Sequence, residues 1–318
     1  MRDGRKPPGE KKVRGAVARA FPGLPVVFAE GYGESRRSLH SSASFAVTDV
    51  EGGVRTETSV SEASGDSFTV DGEPLTGLRG EGMHAIVSSM KNRAGYGGGV
   101  IVESVNRDVK SGSSDSGAAA LVKALDGLFG LGLSDAELLG FARLGSETAY
   151  RSVLGGLSIY DVHSDSFKRI AEPEEFRDLR IFGVSFDLPR FKADDIHKAV
   201  VKHPEYPARR KEADGKIVDV SEALAEGDFL GVLEVMEFDA KRVHKMFREV
   251  GFDVIKPEMR RVCELTESLR KEGVPAYWNV AAGSIVYVFT IKDFEGDVHG
   301  TLSGRGYEPV RMRVAEGV

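Results

Sequence analysis

A serine- and glycine-rich stretch, Lys110-Ser-Gly-Ser-Ser-Asp-Ser-Gly117, runs straight into the apolar segment Ala118 to Leu125. A chain with this junction turns tightly and then opens a helix, so the loop ends at a set of unpaired N–H groups and the positive end of a helix dipole. Gly112 and Gly117 allow close backbone approach, and Ser111, Ser113, Ser114 and Ser116 supply hydroxyls. That is the chemistry of an anion cradle, and a nucleoside triphosphate is the first ligand to consider. The Lys-Ser/Thr ending of a P-loop ATPase is absent, so that class is not supported. A loop that merely caps a helix is an equal reading of this segment taken alone.

The 318 residues allow one large or two ordinary domains with a sizeable core. With 41% apolar and 29% charged residues the chain reads as a soluble globular protein. A net charge of −6 and the lack of a basic stripe interleaved with aromatics argue against a nucleic-acid partner, while a small anion held by local basic groups stays compatible. The single cysteine, Cys263, excludes an internal disulfide and a zinc site, which points to a reducing, cytoplasmic setting. No run approaches the roughly 18 apolar residues of a membrane span, and the charged start has no apolar signal core. Residues 1–12, rich in Arg, Lys and Pro, read as a disordered basic tail.

Apolar periodicity predicts short strands at 13–21 and 25–29, and a long hairpin over 41–61 around Glu51-Gly52-Gly53. A second hairpin turns at Asp71-Gly72, a helix follows over 82–91, and a strand over 100–105 leads into the Ser/Gly loop. Helices are expected at 118–129, at 134–144 with Ser134 and Glu137 as a capping box, and at 146–154 ending in Gly155-Gly156. The second half carries strands at 156–162 and 180–186, helices near 193–203, 208–225, 226–248 and 257–272, and strands at 276–280, 284–291 and 310–314. The economical reading is α+β, with two α+β domains, 13–185 and 186–318, and a ligand cleft between them.

In the segment Glu147-Thr-Ala-Tyr-Arg151-Ser-Val-Leu-Gly-Gly156, Glu147 and Arg151 stand four residues apart, so on a helix they share a face. An exposed ion pair is the plain account. The surroundings are apolar, however, and a part-buried Arg suits a carboxylate or phosphate while a part-buried Glu suits a hydroxyl.

These residues resemble a family: the diphosphomevalonate decarboxylase branch of the GHMP kinases, and within it the archaeal mevalonate 3-kinases. The likeness spans nearly the whole chain through Leu39-His-Ser-Ser-Ala-Ser44, Ser111 to Ala119, Arg151 to Leu157, Asp187 to Arg190, Tyr206-Pro-Ala-Arg-Arg210 with Lys211, and Gly283 to Val288. It implies the two-domain GHMP kinase fold, ATP with Mg²⁺, a mevalonate-like substrate in the cleft, and usually a homodimer. Three positions bear on the reaction. The decarboxylases carry an Asp where Ala281 stands and a Lys where Phe28 follows Val26-Val27, whereas mevalonate 3-kinases carry a Glu at the position of Glu147. All three departures point to ATP-dependent phosphorylation of the C3 hydroxyl of (R)-mevalonate in isoprenoid biosynthesis. A decarboxylase acting on a phosphorylated mevalonate, or a non-catalytic ligand-binding relative, are the alternatives.

On this likeness Glu147 and Ser113 are the catalytic candidates, and Arg151, Arg190, Phe28, Ser152 and Ala281 the substrate-binding ones. Ser111, Gly112, Ser113, Ser114, Asp115 and Gly117 would hold the nucleotide, with Ser114 and Asp115 near the metal. Asp115 is equally readable as a helix cap. His197 and His203, six apart, share no face suited to a metal and read as solvent or packing residues. Arg209, Arg210 and Lys211 form a solvated basic face or meet a phosphate. Tyr277 and Trp278 read as core or wall, and Tyr150 as a group that narrows the substrate pocket.

Overall fold

The computed structural model describes residues 14–33 and 37–318, so the basic tail expected at 1–12 lies outside the described residues. The strands are β1 (Gly15–Ala20), β2 (Gly23–Val27), β3 (Ser42–Asp49), β4 (Arg55–Ala63), β5 (Ser67–Val70), β6 (Glu73–Pro74), β7 (Gly99–Arg107), β8 (Leu157–Asp161), β9 (Ser166–Ala171), β10 (Leu179–Ser185), β11 (Tyr277–Asn279), β12 (Ile285–Ile291) and β13 (Val310–Val314). The helices are α1 (Gly77–Ala94), α2 (Ser113–Phe129), α3 (Asp135–Ala142), α4 (Tyr150–Leu154), α5 (Ala193–Val200), α6 (Tyr206–Ala225), α7 (Phe229–Glu249), α8 (Pro257–Lys271) and α9 (Glu295–Gly304). They build two sheets, a five-stranded one in the order β1-β4-β7-β5-β6 and an eight-stranded one in the order β11-β12-β10-β13-β3-β8-β9, with β2 also on β3.

The long hairpin expected over 41–61 does not form. β3 pairs with β2, β8 and β13, whereas β4 pairs with β1 and β7, so the two strands diverge into different sheets. Side-chain pattern explains the split. β3 is buried on both faces, as an inner strand covered from two sides must be, while β4 alternates buried Thr56, Thr58 and Val60 with half-buried polar residues. The hairpin at Asp71-Gly72 does form, with φ of 53° and 83° at its two central residues, the left-handed pair a two-residue turn needs. β13 pairs with β3 across the division expected at residue 185, so the eight-stranded sheet draws on both halves of the chain.

Burial of apolar faces positions the site. α2 lies against β1 and β4, and its Leu121 and Leu125 share one core cluster with Val60 of β4, Val102 of β7 and Ile86 and Met90 of α1. On the larger sheet Phe45 packs edge-on against Phe176 at 5.1 Å, and β2 lies under α7. A further cluster joins Val243 and Met246 of α7, Val262 of α8 and Trp278, which places Trp278 in the core.

Between α6, α7 and the chain leaving β2 sits a set of buried charges centred on Arg209, whose side chain is fully enclosed. Its Nη2 donates to Asp239 Oδ2 at 2.9 Å and to the carbonyl of Phe28 at 3.2 Å, and its Nε lies 3.0 Å from Glu30 Oε1. Asp239 also accepts from Lys216 Nζ at 2.5 Å and from the Phe28 N–H at 2.8 Å. Arg209 is thus neither on a solvated face nor in the ligand cleft, because two buried carboxylates claim it. Replacing Arg209 by Met leaves both carboxylates without their shared cation. Thermal or urea unfolding of the variant should show a loss of about 3–5 kcal/mol.

Candidate active site

The Ser/Gly segment is less loop than expected: α2 begins at Ser113, so Ser113, Ser114 and Asp115 form its first turn. Gly112 supplies the left-handed cap at φ 72°, and a Cβ there would stand 2.8 Å from the Gly23 nitrogen, so the position requires glycine. The turn Ala281-Ala282-Gly283 presses on the same segment from the other half of the chain. Gly283 has no room for a Cβ against the Lys110 carbonyl, which also accepts from the Ser284 N–H at 3.3 Å and from Arg190 Nη1 at 3.0 Å.

A cavity of about 860 Å³ opens in front of this helix start, lined by Ser111, Gly112, Ser113, Ser114 and Gly117, by Arg79 of α1, and by Arg190, Asp194 and Lys198 around α5. A second cavity of about 80 Å³ adjoins it, Ala193 and Ala282 lining both. Phe28, Glu30, Arg151, His197 and Ala281 line the smaller one. Of the expected site residues, Ser111, Gly112, Ser113, Ser114, Gly117 and Arg190 line the large cleft and Phe28, Arg151 and Ala281 the small pocket, while Asp115, Glu147 and Ser152 line neither.

Arg151 is held by its Nε, which donates to the Thr148 carbonyl at 3.1 Å and lies 3.3 Å from Asp115 Oδ2. Its stem fills the space that a Cβ on Gly23 would occupy. Asp115 does not cap α2. Its Oδ1 accepts from Ser146 Oγ at 2.6 Å and Thr148 Oγ1 at 2.7 Å, so both its oxygens are engaged in tying the helix start to the segment before α4. Among the described residues no group of three His, Cys, Asp or Glu could hold a metal ion.

Glu147 precedes α4 rather than lying on it, with its side chain only 3% exposed and Oε1 3.9 Å from His197 Nε2. Ser152, expected at the substrate, is fully buried and donates to the Phe21 carbonyl at 2.6 Å, because the inner face of α4 points it at the chain entering β2. Tyr150 likewise turns into the core. Its hydroxyl meets Ser42 Oγ at 2.9 Å and its ring stacks on Phe167 at 5.4 Å, so it does not line the pocket.

His197, read from sequence as a solvent or packing residue, stands inside the pocket, and neither spacing nor periodicity signals it. Behind Phe28 lies another residue without a sequence signal, His244, edge-on to the Phe28 ring at 5.7 Å, with Nε2 donating to the Val280 carbonyl at 2.5 Å. It braces the two uncharged positions, Phe28 and Ala281, from behind. Burial holds its imidazole down from 6.5 to about 4.

Residues 33–169 match the diphosphomevalonate decarboxylase-like N-terminal domain, and residues 192–294 match the mevalonate-3-kinase C-terminal domain. The chain is 28% identical over 299 residues to the mevalonate-3-kinase of Picrophilus torridus, covering 90% of each. It is 32% identical over 286 residues to the mevalonate 3-kinase of Thermoplasma acidophilum, covering 86% of this chain and 88% of that one. The chain belongs to the mevalonate 3-kinase family. The crystal structure of the Thermoplasma acidophilum mevalonate-3-kinase with mevalonate 3-phosphate and ADP bound superposes with a TM-score of 0.86 at 29% identity, over 96% of this chain and 98% of that one. The α+β fold is accordingly that of the GHMP kinases, and nucleotide use comes with the mevalonate 3-kinase family. No described helix is long and apolar enough to cross a membrane.

Two outcomes follow from this geometry. Gly283→Ala drives a methyl into the Lys110 carbonyl and displaces the helix start, so the Kd for ATP should rise about tenfold or more, read by fluorescent-nucleotide titration. His244 is neutral when buried and charges when unfolded. Its contribution to stability is therefore complete above 6.5 and is lost as pH falls toward 4. Between pH 7 and 5 the wild type should lose on the order of 1–2 kcal/mol more than His244→Phe, by calorimetry.

Proposed function

We propose that the protein transfers the γ-phosphoryl group of ATP to the C3 hydroxyl of (R)-mevalonate, giving mevalonate 3-phosphate and ADP. The observation that carries this reading is the charge of the small pocket. Among the described residues lining it Arg151 is the one Lys or Arg, its Nε facing Asp115 and the Thr148 carbonyl, while Glu30 sits with Arg209 and the walls at Phe28 and Ala281 are uncharged. With Nε occupied, the two terminal nitrogens of Arg151 are left for one carboxylate, the fork geometry that Arg offers best. A single compensating cation suits a hydroxy-monocarboxylate better than a 5-phosphorylated one.

The C3 oxygen attacks the γ-phosphorus, the bond to the β–γ bridging oxygen breaks, ADP departs, and Glu147 receives the hydroxyl proton. Such a transfer has a loose transition state with charge on the equatorial oxygens, so orientation and N–H dipoles at the start of α2 contribute much of the rate. Ser111, Gly112, Ser113, Ser114 and Gly117 face the triphosphate, Ser113 at the γ end. Mg²⁺ on the triphosphate would neutralise developing charge, and the Ser114 hydroxyl is the group available to it, Asp115 being taken up by Ser146, Thr148 and Arg151. Arg190, tied to the loop carbonyl in the large cleft, is assigned to the nucleotide side of the transfer rather than to the carboxylate. A cytoplasmic homodimer, with domains dividing near residue 185, belongs to the same reading and rests on the family resemblance.

Loss of carbon dioxide after phosphorylation would need charge beside the departing groups, and Phe28 and Ala281 supply none. ³¹P NMR of ATP, Mg²⁺ and mevalonate with the enzyme tests all of this. A phosphate ester on a tertiary carbon gives a resonance without proton splitting, whereas a 5-phosphate is split by its CH₂ group. The unsplit ester is expected, and carbon dioxide release or an absence of product would overturn the reading. Glu147→Gln should lower kcat about 100-fold or more while ATP affinity stays near wild type.

A further inference from the structure

We propose that His197 is a positioning residue of this site, whose Nε2–H holds an oxygen of the acceptor beside Glu147 without ever taking the acceptor's proton. The inference rests on the phosphoryl-transfer reading above and adds a residue that the sequence motifs leave out.

The tautomer is set by the backbone. Nδ1 of His197 lies 2.9 Å from the Gly31 nitrogen, and a peptide N–H only donates, so Nδ1 accepts and the ring proton sits on Nε2. Gly31 has φ 81°, and a Cβ there would run into the Tyr206 hydroxyl, so the N–H that fixes the tautomer comes from a position that admits only glycine. A second proton could enter the ring only at Nδ1, against that N–H. Burial acts in the same direction and holds the imidazole below its ordinary value, with Arg79 and Arg151 adding to the effect and Glu147 and Asp194 opposing it. His197 is therefore a fixed donor.

Nε2 stands 3.9 Å from Glu147 Oε1, too far for a direct hydrogen bond and near enough for one oxygen to touch both groups. The ring cannot swing away, because it stacks on Tyr32 at 5.0 Å and 29°. The Tyr32 hydroxyl donates to Asp194 Oδ1 at 2.9 Å, and Asp194 also accepts from Arg79 Nη2 at 3.1 Å. Asp194 and His197 are three apart on α5 and share a face, Asp194 in the large cleft and His197 in the small pocket. One helix face thereby sets the acceptor oxygen relative to the triphosphate cleft.

Three full-length variants separate a donor from a filler. His197→Phe keeps a ring against Tyr32 and removes the donor. His197→Gln places an amide N–H where Nε2 was, and the shorter side chain of His197→Asn does not reach that point. Each is assayed for kcat, the KM of mevalonate and the KM of ATP, with the thermal midpoint recorded. Phe and Asn should lower kcat/KM for mevalonate by about 10- to 100-fold, with the KM of ATP within about twofold of wild type, and Gln should recover about tenfold of that loss. Should Phe fail to fold, the Gln and Asn pair decides the point alone. Wild-type rates in Phe or Asn, Gln no better than Asn, or a loss confined to the KM of ATP would overturn the proposal. A wild-type enzyme inert toward mevalonate would instead overturn the functional reading, and this inference with it.

Discussion

One buried guanidinium, Arg209, holds the wall of the small pocket in shape. β2 ends at Val27, and from there the chain needs new partners for its backbone groups at a depth where water cannot serve. Asp239 takes the Phe28 N–H, Arg209 donates to the Phe28 carbonyl, Tyr206 Oη donates to the Glu30 carbonyl at 2.8 Å, and His197 takes the Gly31 N–H. Side chains of α5, α6 and α7 thus replace the missing ladder. The arrangement stands because Arg209 and Lys216 compensate Glu30 and Asp239, whose carboxylates would otherwise be intolerable at that depth.

Around this wall lie two cavities of different chemistry. The large cleft is lined by the first turn of α2, by serine hydroxyls and by Arg79, Arg190, Lys192 and Lys198. The small pocket is lined by one guanidinium, Arg151, by the Glu30 carboxylate and by the His197 imidazole, with Glu147 close behind His197. Asp115 joins the two, since one carboxylate binds the segment that carries Glu147 and Thr148 to the first turn of α2.

Local features were legible in the amino-acid order because local chemistry makes them. The Ser134–Glu137 capping box, the Asp71-Gly72 turn and helices α6 to α8 depend on neighbours a few positions away, and they stand within a few residues of where the pattern puts them. The missing elements were β9 and α9, short and without a strong apolar period. The site residues that escaped are those fixed by distant partners. His197 acquires its meaning from Gly31, and Arg209 from Phe28, each more than 150 positions away in the chain. The hairpin expected over 41–61 failed for the same reason: the turn favours pairing, but the fully buried character of β3 decides which sheet it enters. Where a family likeness supplied residues, as for Phe28, Arg151 and Ala281, it drew together positions that spacing alone keeps apart.

The pairing of β3 with both halves of the chain has a bearing on how ligands reach the site. β3 bonds to β2 and β8 on the one hand and to β13 on the other, so parting the two halves like jaws would tear a continuous ladder. Ligands then reach the site between halves that this ladder holds together, past the connection at 186–192 and the short α5, which carry no strand pairing and contribute Arg190, Lys192 and Asp194 to the lining of the large cleft.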